Sequence, residues 1–266
     1  AEEAKRARNY RRIIPPVVCA LTLFLIIMYL VSIALDGYGS FTITIKNYGD
    51  RDYALALCEN DGFKNQTSRL SATPAKNIDN IAASVLPEDL NDVNGSHNGE
   101  NYLAYTFYLK NTGTQTCSYK YSFLISRATL GVDAAARIRV YYNDGYYKAE
   151  TGAYDYKRDF TDYAKPKTNG NGEPETDPVN RKMTNFLSAD IVTEGVVQNF
   201  MPGDISKITV VIWLEGNDPD CTDDVLGGQF RTDMVFEIIK DEQPRTFKTK
   251  YCTLKARILN SSERGF

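Results

Sequence analysis

Apolar and polar positions alternate along most of this chain, and one long apolar run near the start breaks the alternation. Residues Ile13 to Leu35 read IIPPVVCALTLFLIIMYLVSIAL, without a charge. A helix of that length crosses a hydrocarbon core about 30 Å thick. Pro15 and Pro16 stand at its start, where a missing N–H costs least. From Ser40 onward the period is two. Phe41, Ile43 and Ile45 alternate with Thr42, Thr44 and Lys46, which predicts a half-buried strand. Tyr53 to Cys58 alternates again, and the turn-like Tyr48-Gly-Asp-Arg-Asp predicts a hairpin between the two. Asn77 to Leu86 places Ile78, Ile81, Ala82 and Val85 at helical spacing, predicting a short helix.

Further strands are predicted over Tyr102 to Lys110 and Ser118 to Ser126, joined as a hairpin, and over Ala136 to Tyr142, closed by an Asn143-Asp-Gly turn. Ile191 to Phe200, Lys207 to Glu215 and Arg231 to Ile239 complete the set, with Met201-Pro-Gly-Asp as a turn. Lys165 to Asn180 is dense in Pro, Gly, Asn and acids and reads as a loop insertion. Phe247 to Leu259 fits a last strand or a helix. Many strands with little helix predict a mainly β protein: one transmembrane helix, then a jelly-roll-like antiparallel β-sandwich.

Charge sets the expected topology. Lys5, Arg6, Arg8, Arg11 and Arg12 precede the apolar run, and Asp36-Gly-Tyr-Gly-Ser follows it without a cation. The positive-inside asymmetry places residues 1–12 in the cytoplasm, 13–35 in the plasma membrane and 36–266 outside. Tyr10 and Tyr38, with Arg11 and Arg12, are the expected membrane-interface residues, and lipid is the expected contact. A cleaved signal peptide competes with the retained anchor, because Ser32 and Ala34 offer a cleavage site after Ala34. The formal net charge is −3, and the basic tail leaves the remainder acidic, which argues against nucleic acid as a partner.

Of five cysteines, Cys19 lies in the apolar run and reads as a small apolar filler. Cys58, Cys117, Cys221 and Cys252 fall on the oxidising side, an even number that predicts two disulfides out of three pairings. Cys58 ends one predicted strand and Cys117 begins another, while Cys221 and Cys252 would pin a turn to the tail. The favoured pairing is therefore Cys58–Cys117 with Cys221–Cys252; four unpaired buried thiols are the alternative.

Little in the chain points to catalysis. The single histidine, His97, sits in a Gly- and Asn-rich loop and reads as a solvated residue. No P-loop, GxSxG or HExxH pattern occurs, so neither a catalytic residue nor a cofactor site is expected. The densest acidic cluster runs from Glu215 to Asp224, where Asp218, Asp220, Asp223 and Asp224 offer hard oxygen ligands to calcium. A solvated turn is the competing reading. The many tyrosines are explained by core packing, with sugar stacking or a protein contact as the alternative.

Two short motifs carry a resemblance. Phe107-Tyr-Leu-Lys-Asn-Thr-Gly, then Met201-Pro-Gly-Asp leading into ITVVIWLEGNDPDC, resemble the TasA/camelysin-like surface proteins of Gram-positive bacteria. The likeness runs loosely over residues 40 to 240. It implies a jelly-roll sandwich of the cell surface and biofilm matrix, with fibre assembly in some members. The expected function is a membrane-anchored structural or interaction protein, not an enzyme, meeting other copies or other surface proteins. A carbohydrate-binding or glycan-processing ectodomain, or a membrane subunit of a larger surface complex, is the alternative.

Overall fold

In the computed structural model of the chain the apolar run forms a helix, α1, over residues 14–30, and every residue of it is exposed. The structure describes residues 14–30, 40–46, 51–169, 171, 173 and 182–239. No helix among them is long and apolar enough to cross a membrane. The predicted span continues through 31–35, outside the described residues, as do Tyr10, Arg11, Arg12, Tyr38 and the predicted tail element.

Among the described residues thirteen strands follow in chain order. They are β1 (Phe41–Lys46), β2 (Leu55–Cys58), β3 (Arg69–Ser71), β4 (Gly95–Ser96), β5 (Tyr102–Asn111), β6 (Cys117–Ala128), β7 (Ala136–Lys148), β8 (Ala153–Tyr154), β9 (Phe160–Ala164), β10 (Thr184–Asn185), β11 (Ile191–Phe200), β12 (Ile205–Leu214) and β13 (Phe230–Ile239). A short helix, α2 (Val132–Ala135), leads into β7. The first sheet has the order β11-β6-β13-β1-β3 and the second β10-β9-β7-β12-β5-β2, with β4 on β5 and β8 on β7.

The inner faces of the two sheets meet in one apolar core. Phe41 of the first sheet packs on Tyr105 and Phe107 of the second, with ring centroids 6.2 and 6.3 Å apart, and Phe107 reaches Phe236 at 6.0 Å. All four rings are fully buried. Each contributes roughly 1.5–3 kcal/mol by leaving water.

The expected antiparallel sandwich is corrected to two mixed sheets. β1 pairs with β13 in parallel, Phe41 opposite Thr232 and Lys46 opposite Glu237, and β10 pairs with β9 in parallel. Neither expected hairpin forms. β1 and β2 lie in opposite sheets, as do β5 and β6, so each connection crosses the sandwich. Asn143-Asp-Gly does not turn the chain. β7 runs through it as an irregularity, Asn143 facing Lys207 and Tyr147 facing Ile205. The predicted helix over 77–86 is absent. The Ile81 N–H instead donates to the Leu214 carbonyl at 2.9 Å, and a single 3₁₀ turn spans Ala83–Val85. Pro87 disfavours a helical residue before it, and the end of β12 offers the backbone other partners. The Met201-Pro-Gly-Asp turn is present, the Asp204 N–H donating to the Met201 carbonyl at 3.0 Å.

Candidate functional site

Strand alternation on β12 sends Ile208, Val210 and Ile212 into the core between the sheets. Lys207, Thr209, Val211 and Trp213 therefore point to the opposite face, yet all four are buried. The segment 81–94 crosses that face as a strap. Its Leu86 and Leu90 pack with Ala104, Tyr141, Val211 and Trp213. The register sets Lys207 between Asn143 and Tyr108, and Thr209 between Tyr141 and Thr106. The result is a polar strip under cover, with Thr106 and Thr209 hydroxyls 2.7 Å apart.

Asn91 in the strap closes over this strip. Its Oδ1 accepts from Thr209 Oγ1 at 2.8 Å, its Nδ2 donates to the Lys157 carbonyl at 3.1 Å, and its main-chain carbonyl accepts from Lys207 Nζ. Lys207 is 4% and Asn91 5% exposed. The Lys207 ammonium faces the rings of Tyr108, Tyr146 and Tyr156 at 6.0, 5.7 and 5.5 Å. Burial pushes its pKa below the ordinary 10.5, against the opposing pull of Asp92 and Asp61. Around the cage, the Tyr146 hydroxyl lies 3.0 Å from that of Tyr156 and donates to Asp61 Oδ2 at 3.4 Å. Neither Lys207 nor Asn91 stood out in the sequence. The available signal was a lysine in phase with Thr209 on the outward face of the most apolar strand.

Two carboxylates of the acidic cluster, Asp218 and Asp220, are paired with basic side chains. Asp218 is buried and receives Arg137 Nη2, whose side chain is fully buried, and Lys167 Nζ at 2.5 Å. Lys167 also bridges Asp220 at 2.9 Å. Asp223 and Asp224 are exposed on a 3₁₀ turn spanning Asp223–Val225. Among the described residues no three His, Cys, Asp or Glu side chains converge as a metal cage requires. The expected ligand set thus becomes a cation-neutralised lock, because two basic side chains already take the Asp218 carboxylate. Glu215, 2% exposed, completes the lock. It accepts from Trp213 Nε1 at 3.2 Å and from the Ala83 N–H at 3.1 Å, fastening the strap.

The Cys58–Cys117 bridge is also corrected. Cys58 is a free thiol on the outer side of the second sheet, packed with Phe63, Tyr108 and Tyr146. Cys117 lies in the core between the sheets. Strand alternation separates the two by the thickness of a sheet. Cys221 is a free thiol in the acidic loop, and Cys252 lies outside the described residues. His97 is half-buried rather than solvated. Its ring nitrogens lie 2.8 Å from the Gly95 carbonyl and 3.0 Å from that of Leu90, clamping the end of the strap.

Among the described residues, two of the recesses open to solvent flank the strap and the end of the sandwich. One of about 570 Å³ lies at the end of the sandwich, between residues 74–80, Trp213 and the 221–231 loop. The other, of about 390 Å³, runs beside the strap and is lined by Asn91, Asp92, Arg139, Tyr141, Arg158 and Phe160. Arg139 is held in a bidentate pair with Asp162 at 2.7 and 2.9 Å and lies 3.8 Å from the centre of the Phe160 ring.

No protein-family model matches the chain, and no curated protein matches it. It is similar to a solved β-glucosidase from Kluyveromyces marxianus in complex with glucose, at 11% identity and a TM-score of 0.21. That match covers 68% of this chain and 15% of the glucosidase. A likeness of that order carries no argument about fold or activity.

Proposed function

We propose that this chain is a membrane-anchored surface protein that displays its β-sandwich outside the cell as a structural or interaction module, and is not an enzyme. One observation carries the reading: α1 exposes apolar side chains on every side. Phe24, Leu25 and Ile26 are 58, 58 and 54% exposed. A helix apolar all round needs an apolar surrounding, and the sequence stays apolar from the helix through Leu35, a run of the length of a span. Lipid is the occupant to which we commit, because the basic tail before the run and its absence after it fit the charge asymmetry of an inserted helix. The resemblance to TasA/camelysin-like proteins, and with it a jelly-roll topology and a place in a surface matrix, belongs to this same proposal. The buried polar groups favour a structural role: Asn91, Arg137, Glu215 and Asp218 spend their hydrogen bonds holding the strap and the acidic loop.

Alkaline extraction of membranes from cells making the full chain, combined with protease treatment of intact cells, tests the reading. The protein stays in the membrane pellet, protease releases the sandwich, and an N-terminal tag remains protected. Release into the alkaline supernatant, or protection of the C-terminal domain, overturns it.

A glycan-binding reading draws on the recess beside the strap, where Phe160 is 48% exposed next to Arg139 and Arg158. An exposed ring flanked by hydrogen-bonding groups suits a sugar face. Titration with soluble cell-wall polysaccharide, lost on Phe160→Ala, supports it; equal behaviour of wild type and variant removes it.

A further inference from the structure

Lys207 is a buried primary amine whose one hydrogen bond among the described residues goes to the main-chain carbonyl of Asn91, itself a buried residue that carries a side-chain carboxamide. Among the described residues it has no carboxylate partner. An ammonium enclosed without a counter-ion is costly, so its placement needs a reason. Asn91 is not loosely placed either. Thr209 Oγ1, two residues along β12 on the same face as Lys207, donates to Asn91 Oδ1 at 2.8 Å. The amine and the polarised carboxamide are thus held at one residue, under the strap and behind three tyrosine rings.

We propose that Lys207 and Asn91 join in an intramolecular isopeptide bond. The Lys207 Nζ lone pair attacks Cγ of Asn91, forming the new C–N bond. The Thr209 hydroxyl already points at Oδ1, where negative charge develops in the tetrahedral intermediate. The Cγ–Nδ2 bond then breaks and Nδ2 leaves as ammonia, taking the proton that Nζ gives up. No oxidant or co-reactant enters, and the product is a neutral secondary amide.

Three features of the site favour this chemistry. Burial favours the neutral, nucleophilic form of the amine. Burial of both Lys207 and Asn91 limits the water that would compete for the carboxamide carbon. Asp92 and Asp61 are the carboxylates whose charge acts on Lys207, and so the groups available to take up its proton. The bond would close between positions 116 residues apart. It would staple the strap to the central strand of the second sheet, a useful property in a module pulled against an anchor.

The mass of the full chain, purified in detergent, then reduced and denatured, decides the matter. The expected mass is lower than the sequence mass by one ammonia. Trypsin then fails to cut after Lys207, and fragment spectra show a branched peptide joining the strap to β12. Lys207→Met and Asn91→Ala restore the full sequence mass. A succinimide at Asn94-Gly95 would lose the same mass, but hydroxylamine cleaves the chain there and leaves an isopeptide intact. Full sequence mass in the wild type, with ordinary tryptic cleavage after Lys207, overturns the proposal whether or not either variant folds.

Discussion

The Asn111 N–H donates to the Asp204 carbonyl at 3.1 Å, so the end of β5 is tied to the turn that opens β12. The Asn111 carbonyl accepts from the Gly203 N–H at 2.8 Å, and Asn111 Nδ2 donates to the Phe200 carbonyl at 2.8 Å. The two motifs that carry the family resemblance, far apart in sequence, thus form one knot. Asp204 is 1% exposed and accepts from the main-chain N–H groups of Ala149 at 2.8 Å and Met201 at 3.2 Å, and from Lys148 Nζ at 3.2 Å.

Removing the carboxylate, itself buried, leaves the half-buried main-chain donors of Ala149 and Met201 without their partner. Asp204→Ala is expected to lose about 2–4 kcal/mol of unfolding free energy. Urea denaturation of the wild type and the variant measures it. A loss within experimental error would show that water replaces the carboxylate freely.

Gly113 closes the first motif. A Cβ there would lie 2.5 Å from the Asp52 carbonyl oxygen and 2.8 Å from the Ala54 nitrogen, both main-chain atoms that cannot rotate away. Gly113→Ala is expected to cost about 1–3 kcal/mol through overpacking. Thermal denaturation reads this as a lowered Tm, and an unchanged Tm would contradict the close approach.

Arg137 and Asp218 form a fully buried ion pair with Lys167 beside it. Asp218→Asn is expected to destabilise by about 3–5 kcal/mol, because it leaves buried charge uncompensated. Replacing the pair together, as Arg137→Met with Asp218→Leu, is expected to cost less than the sum of the single changes. Added calcium should leave the Tm unmoved, since two basic groups already take the Asp218 carboxylate. A calcium-dependent rise would restore the metal reading.

Cys221 should be a slow nucleophile. Burial, then the charges of Asp218 and Asp79, push its thiol pKa above the ordinary 9.0. A raised pKa means less thiolate at neutral pH, so alkylation should be slower than for a free thiol and should climb with pH beyond the usual thiol range. Asp79→Asn removes one of those charges and should speed the reaction. Cys58, 1% exposed, should react only on unfolding. Peptide mapping after timed alkylation resolves each cysteine, and fast labelling of Cys221 at neutral pH would contradict the sign.

Much of the strand content could be read from period two alone, because alternation reports a surface buried on one side. Phe41 to Lys46, Tyr102 to Asn111 and Phe230 to Ile239 are strands within a residue of where the pattern places them. The short two-residue strands were invisible, since two residues carry no period. Candidate chemistry was harder to read. Asp218 sits in a run of acids that looks solvated, and its burial depends on Arg137, 81 residues earlier in the chain. Lys207 sits in an apolar strand where a lysine looks like a face turned to water.

By itself the sequence determined the apolar helical run, the mainly β character, the Met201-Pro-Gly-Asp turn and the alternation of faces along the longer strands, because these follow from local periodicity and backbone preference. Tertiary structure alone decided which strands share a sheet. Turn residues between β1 and β2, or between β5 and β6, bend the chain equally well within a sheet or across the sandwich. It also decided that the strap covers the outer face of β12, turning Lys207 from a solvated cation into a buried amine held at Asn91. Alternation fixes the side of a strand on which a residue lies, whereas what packs onto that side depends on segments distant in sequence.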